Sequence, residues 1–316
     1  MNPLFNDEKH YLTMSNYCLN RFGKKTYRIS LNGGFSCPNR DGKLSYKGCI
    51  FCSEKGSGDF AGERSDPLPI QFAKIKQMMQ HKWSDGYYIA YFQANTNTYG
   101  TIEKLKSVYE QIITPDGSID ENIKVLSIAT RPDCLDDEII NYLQELNQKI
   151  EVWIELGFQT SNESTAQFIN RGYNNDCFVQ AIRKLKAKGL YVIVHVIDGL
   201  PYETFDDMIN TVKFVNNESP DGIKIHMLHI MKNTPLAQIY QETPFPILSK
   251  EEYVDIVTTQ LRYLDENIVI HRLTGDAPKD LLIEPLWTLK KFVVLNEIDK
   301  RMRKEKIYQG DLCTKL

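Results

Sequence analysis

The sequence predicts an α/β chain folded as an open, partial (β/α)6 TIM-like barrel with a C-terminal α/β extension. Three observations carry that expectation. Short β-branched and aromatic runs alternate with amphipathic helical stretches, as in parallel strands joined by crossover helices. The runs number six, short of the eight in a closed barrel. After about residue 240 the rhythm breaks at Thr243, Pro244, Phe245 and Pro246.

The expected strands are Thr26–Leu31, Tyr87–Gln93, Val125–Thr130, Glu151–Phe158, Tyr191–Ile197 and Gly222–Ile230. Each is mostly apolar and followed by turn or polar residues, as expected of parallel strands buried on both faces. Between them, Asp137–Asn147 sets Ile139, Ile140, Leu143 and Leu146 at helical spacing. The stretch Asp176–Lys188 stops at Gly189, a residue free to take the left-handed conformation after a helix. Beyond residue 240, helical stretches flank the apolar run Ile268–Ile270, which leads into HRLTGDAP, and Leu286–Tyr308 is rich in Lys and Arg. The expected organisation is an N-terminal segment (1–25), a core barrel (26–240) and an extension packed on the barrel (241–316).

The 316 residues are 42% hydrophobic and 25% charged, ordinary for a globular protein, which excludes a disordered or fibrous chain. A net charge of −3 gives no global basic field and leaves nucleic-acid contact to a local patch. No apolar run approaches the ~20 residues that span a bilayer. The start, MNPLFNDEKHYL, has no signal-peptide pattern. No membrane association and a cytoplasmic location are therefore expected.

Seven cysteines in such a chain do not read as a disulfide framework. Cys18, Cys134, Cys177 and Cys313 are scattered, whereas Cys37, Cys49 and Cys52 fall within sixteen residues in GGFSCPNRDGKLSYKGCIFC (Gly33–Cys52). Their spacing is C-x11-C-x2-C, on the loop after the first strand, at the end where barrel enzymes keep their chemistry. Thiolates suit iron–sulfur clusters, zinc and copper(I). Three ligands on a four-iron four-sulfur (4Fe-4S) cluster leave one iron for a non-protein ligand. Zinc is the alternative, and its fourth ligand would be the distant Cys18 or His10.

Further motifs extend over residues 26–290: AYFQANTNTYG (Ala90–Gly100), SIATRPDCL (Ser127–Leu135), ELGFQTSNEST (Glu155–Thr165), INRGY (Ile169–Tyr173), HVIDGLP (His195–Pro201), KIHMLHIMKNTPLA (Lys224–Ala237) and HRLTGDAP (His271–Pro278). Together with the cysteine loop they resemble the radical S-adenosylmethionine (SAM) superfamily. Within it, the chain resembles a bacterial family of this cysteine spacing that is related to the radical domain of the elongator catalytic subunit and to oxygen-independent coproporphyrinogen dehydrogenase. The resemblance implies that Cys37, Cys49 and Cys52 hold three irons of a 4Fe-4S cluster and that SAM chelates the fourth. It implies reductive cleavage of SAM to a 5′-deoxyadenosyl radical, with the cofactor carrying the hard chemistry. An electron donor such as flavodoxin or ferredoxin is implied with it. By position, Gln159 and Arg171 would sit around the SAM ribose and carboxylate, and Gln93 and Asn95 near its amino group, since the usual Gly-Gly-Glu is absent. His195 is either a cofactor contact or a strand histidine bonded to backbone. Glu155 is either a cofactor contact or a salt bridge to a barrel Lys or Arg. The MnmL-type branch implies a tRNA partner, with the C5 side chain of wobble uridine remodelled from carboxymethylaminomethyl to aminomethyl. The alternatives are a small-metabolite or protein substrate, or a non-catalytic metal-binding interaction protein.

Candidate catalytic residues complete the set. His271, Arg272, Thr274 and Asp276 follow an apolar run, Arg272 as a fork for an anion and Asp276 as an acceptor, with an Arg272–Asp276 ion pair as the alternative. His226 and His229 are three apart, so a strand turns them to opposite faces, and His229 is the one expected in the cavity. Cys134 is either a reactive thiol or a buried neutral cysteine. Phosphate contacts are expected from the C-terminal basic run and from Lys184, Lys186 and Lys188, which alternatively complement a helix end.

Overall fold

The computed structural model describes residues 2–80, 85–114 and 120–314. Its strands are β1 (Thr26–Leu31), β2 (Tyr87–Phe92), β3 (Ile123–Thr130), β4 (Glu151–Gln159), β5 (Tyr191–Asp198), β6 (Gly222–Met227), β7 (Ile230–Met231), β8 (Val269–Arg272) and β9 (Leu282–Glu284). Seven of them form one all-parallel sheet in the order β1-β2-β3-β4-β5-β6-β8, curled as a half-barrel. The apolar run expected in the extension is β8, so the extension supplies the seventh strand of the sheet.

The last predicted strand divides. Gly222–Met227 stays in the sheet, while Ile230–Met231 pairs antiparallel with β9. The reason is packing: Leu228 and Ile230 bury against Ile50, Ile169, Leu200 and Leu236 in a cluster separate from the main core.

Strand alternation gives the sheet two unlike faces. The outer face, including Ile29, Leu31, Ala90, Phe92, Leu126, Ile128, Val152, Ile154, Val192 and Val194, packs under the crossover helices. Ser249 and Glu252 form a capping box at the start of helix Lys250–Tyr263, which packs between helices Phe205–Asn217 and Lys291–Glu305. The inner face is apolar only at its lower end. There Ile89, Val125, Trp153 and Ile193 pack on Cys18 of the helix Met14–Phe22. Thr13 caps that helix, bridges to Ile270, and lets it span the two edge strands, β1 and β8. The N-terminal segment thus plugs the floor of the half-barrel. Among the described residues, no helix is long and apolar enough to cross a membrane.

Candidate active site

Above the apolar plug the inward positions turn polar. Glu155 of β4 lies at the centre, its side chain fully buried. Its carboxylate accepts hydrogen bonds from Ser127 Oγ of β3 (2.7 Å), His195 Nε2 of β5 (2.7 Å) and Lys224 Nζ of β6. Arg28 of β1 lies 3.6 Å away and stacks over the Tyr91 ring, which Lys224 also faces. Burial alone would push the Glu155 carboxyl up, but Lys224, Arg28 and His195 outweigh it and hold it well below the usual range. The same cations, added to burial, push His195 down to about 4, so its imidazole is neutral.

This network floors a cavity of about 580 Å³ that opens at the C-terminal ends of the strands. One wall is the loop after β1, with Cys37, Cys49 and Cys52 all free and all lining the cavity. The loop is pinned from three sides. Asn39 donates to Asn170 O (2.6 Å), Asn170 donates to Gly48 O (2.6 Å), and Ile50 N bonds Ile169 O (3.1 Å). Gln93 donates to Ser57 O (2.8 Å) and Asn95 to Phe35 O (3.2 Å), tying the end of β2 to the same loop. Donors also reach the sulfurs: Asn39 Nδ2 lies 3.6 Å from Cys49 Sγ and Arg40 Nη1 3.6 Å from Cys52 Sγ. Burial pushes the Cys49 thiol up to about 12 and raises Cys52 as well, so both are protonated thiols.

The opposite wall comes from β6 and the extension. His226, His229, Arg272, Asp276 and Lys291 line it together. Asp276 sits 3.4 Å from Arg272 and 2.7 Å from Lys291, so the expected Arg272–Asp276 ion pair forms and Lys291 joins it.

A model described as the radical SAM superfamily matches residues 37–215, and one described as the Radical_SAM C-terminal domain matches residues 220–304. The chain belongs to the radical SAM superfamily. It is 44% identical over 314 residues to the uncharacterized protein YtqA of Bacillus subtilis, covering 99% of this chain and 96% of that protein. A tRNA uridine(34) acetyltransferase of Methanocaldococcus jannaschii is 25% identical over 162 residues, 50% of this chain and 29% of that protein. Among solved structures, an archaeal Elp3 of Methanocaldococcus infernus shares the fold with a TM-score of 0.65 at 17% identity, over 90% of this chain and 64% of that one.

Radical SAM enzymes use a 4Fe-4S cluster and SAM, and these are the cofactors of this chain. The donor set fits a cluster better than zinc. Cys18, a possible fourth zinc ligand, is buried in the floor plug, and His10 bonds Ile307 O (2.8 Å) and stacks on Tyr308. Among the described residues, no three His, Cys, Asp or Glu side chains are gathered around the position of a single metal ion.

Several expected radical SAM site residues take other roles. Arg171 is buried, and its donors are saturated by Tyr173 O (2.9 Å), Phe158 O (3.0 Å), Thr160 O (2.7 Å), Asn175 Oδ1 (3.0 Å) and Glu163 Oε2 (3.4 Å). It braces the turn that docks the cysteine loop, and it also lines the cavity beside Gln159 and Tyr173. Glu155 is the salt-bridge alternative, its oxygens taken by the chain's own side chains. His195 bonds Glu155 rather than backbone, with its ring at the cavity. His226 and His229 both line the cavity, because β6 ends at Met227 and strand alternation no longer governs residue 229. Cys134 is absent from the cavity lining, and burial pushes its thiol up to about 12, against a role as a reactive thiolate. Lys184 and Lys186 pair with Asp137 (2.8 Å) and Asp221 (2.6 Å) at the last turn of their helix, remote from the cavity mouth. Gln93, Asn95 and Gln159 do line the cavity; Gln159 has φ +68° and accepts from Tyr173 OH (3.3 Å). Arg28, Asn39, Arg40, Tyr91, Arg131 and Lys224 belong to the site and were not anticipated. Lys224 carried a signal, a charge at an alternate position of an apolar strand.

Breaking the central pair leaves an uncompensated buried charge. Lys224→Met is expected to lower unfolding stability by about 3–5 kcal/mol. Adding Glu155→Leu is expected to recover more than ~1 kcal/mol relative to the sum of the single changes. Additive losses in a denaturant double-mutant cycle would contradict the pairing. Burial also holds the His229 imidazole at about 4. The unfolded chain takes up that proton at about pH 6.5. The stability from neutral His229 is therefore complete above about pH 6.5 and lost as pH falls towards about 4. His229→Gln is expected to flatten the loss of stability across this window, by up to ~1.4 kcal/mol per pH unit. Buried Asp198 and Glu203, pushed up to about 8 and about 7, contribute with the opposite sign but equally in both proteins. Equal slopes for the two proteins would contradict the burial argument.

Proposed function

We propose that this radical SAM enzyme holds its cluster on Cys37, Cys49 and Cys52 and remodels the C5 side chain of tRNA wobble uridine, converting carboxymethylaminomethyl to aminomethyl. When bound, the cluster and SAM supply one-electron cleavage of a sulfonium bond, and with it the means to abstract an unactivated hydrogen. The chain's own residues bind and orient. Asn39 and Arg40 aim N–H donors at the cysteine sulfurs, an arrangement that tunes cluster potential. Gln93, Asn95 and Gln159 offer polar groups beside that wall for SAM. Arg131, bidentate to Asp133 (2.9 and 2.8 Å) and bonded to Arg171 O (2.9 Å), keeps the docking turn rigid.

The observation that best supports a tRNA substrate is the rim of the cavity. Among the described residues, the exposed aromatic rings are Tyr46, Phe60, Tyr202, Phe205 and Phe292. Tyr46 and Phe60 lie on the segment after β1, Tyr202 and Phe205 follow β5, and Phe292 follows the cavity-lining Lys291. Four of them therefore stand on segments that follow the C-terminal ends of β1 and β5, at the open side, with Phe60 lining the cavity itself; Phe292 stands at the start of helix Lys291–Glu305. Exposed rings interleaved with cations are how proteins hold unstacked bases of single-stranded RNA, and an anticodon loop presents such bases. The cavity lining carries seven Lys and Arg side chains against three carboxylates, and with Arg131 and Arg171 paired to Asp133 and Glu163 behind it a smaller positive excess remains, in a chain of net charge −3. The partial likeness to tRNA uridine(34) acetyltransferase supports the same position on tRNA.

The test is nucleoside profiling of bulk tRNA from cells with and without the protein. Loss of the protein is expected to raise carboxymethylaminomethyl-uridine and deplete aminomethyl-type nucleosides. An unchanged profile would overturn the tRNA reading and favour a small-molecule or protein substrate, as the net charge would allow.

A further inference from the structure

We propose that Arg272, Lys291 and Asp276, backed by His226 and His229, form a zwitterion subsite that grips the amino-acid-like end of the substrate side chain: its carboxylate on Arg272 and Lys291, its ammonium on Asp276. The subsite rests on the wobble-uridine reading above and names the group by which that substrate is told from its product.

The cations of the cavity are not equivalent. Arg28 and Lys224 serve Glu155. Arg40 donates to Ser53 O (2.6 Å) and Glu54 O (3.2 Å). Arg131 is clamped on Asp133, and Arg171 is saturated within the chain. Arg272 and Lys291 remain, and they share one carboxylate, Asp276. The trio carries one net positive charge. Its side chains are 35%, 39% and 30% exposed, so an arriving anion meets little desolvation cost.

A second, independent observation lies beside it. The Nε2 atoms of His226 and His229 are shut off from solvent and have no hydrogen-bond partner. Both rings line the cavity, and a side-chain rotation that brings either Nε2 to the cavity surface lets a ligand satisfy it. Burial keeps both imidazoles neutral, so each offers one N–H without adding charge. Gly275 makes the arrangement possible. A Cβ there would stand 2.5 Å from His229 Cε1, so a larger residue would push the Asp276 loop away from the histidine.

The chemistry of the proposed reaction matches this layout. A carboxymethylaminomethyl group ends in a carboxylate two bonds from a protonated amine, and both charges find a partner. The bond that breaks joins the amine to the CH2 of the carboxymethyl group, so the aminomethyl product keeps the amine and the carboxylate departs with the two-carbon fragment. The product forfeits the contacts to Arg272 and Lys291, which favours its release.

The experiment uses the cluster-loaded enzyme with SAM and two anticodon stem-loop RNAs. One carries carboxymethylaminomethyl-uridine and the other its methyl ester, which keeps the amine and masks the anion. The wild type is expected to prefer the acid by about tenfold or more in kcat/KM, as fits a charge-assisted contact. Arg272→Gln and Lys291→Gln are expected to erase most of that preference by raising KM for the acid, while Lys291→Arg retains it. Equal use of acid and ester by the wild type, or a preference that survives both Gln variants, would overturn the subsite and leave the tRNA reading standing. Equal losses on both RNAs would assign the cations to backbone phosphate, and a raised Kd for SAM with the preference intact would assign them to SAM; either overturns the subsite. Turnover of neither RNA by the wild type would defeat the wobble-uridine reading and the subsite with it.

Discussion

One buried carboxylate organises the interior of the half-barrel. Glu155 sits where an ionised group is costly unless paired, and its partners come from four other strands: Arg28 on β1, Ser127 on β3, His195 on β5 and Lys224 on β6. These contacts knit non-adjacent strands of an open sheet that backbone bonding joins only in series. They also fix the depth of the cavity. Below lies the apolar plug of Trp153 and Cys18; above lies the cavity, lined by charged and polar side chains together with Ile197, Met227 and Met231. Burial first, and then the positive charge around Glu155, keeps the nearby histidines neutral. Lys224 and Arg28 add to burial in holding His195 and His271 down.

The second fixed point is Arg171. Its donors close the turn after β4, and that turn presents Ile169 and Asn170 to the cysteine loop. A loop long enough to put eleven residues between Cys37 and Cys49 has little secondary structure of its own, so its shape is borrowed from this docking and from Arg40. The cysteine wall and the extension wall therefore face one another across a cavity whose floor and sides are set by side chains distant in sequence.

Much of this was legible in the residues. Parallel strands buried on both faces read as apolar runs, so β1 to β5 stand within two residues of where the sequence puts them. The cysteines were legible because three soft ligands on a loop after a strand have few other uses. The Glu155 network was only half legible. Glu155 lies 127 residues from Arg28 and 69 from Lys224, and a charge on a strand does not announce which distant strand answers it. Arg171 was ambiguous for a related reason: the same five donors serve a ligand or a backbone turn, and only the fold shows that they close the turn. The histidine pair misled because β6 ends one residue before Leu228, which leaves the sheet for the second apolar cluster and takes His229 out of the strand's alternation.

Everything proposed for this cavity requires that the wall formed by Cys37, Cys49 and Cys52 hold a site-differentiated 4Fe-4S cluster at its mouth. The most direct measurement is iron and acid-labile sulfide in anaerobically reconstituted protein, with single Cys→Ala variants alongside. About four irons and four sulfides per chain are expected. Ala at Cys37, Cys49 or Cys52 is expected to abolish the cluster, whereas Ala at Cys313 or Cys134 leaves it in place. Stoichiometric zinc without iron, or a cluster that survives the loss of Cys37, Cys49 or Cys52, would contradict this requirement.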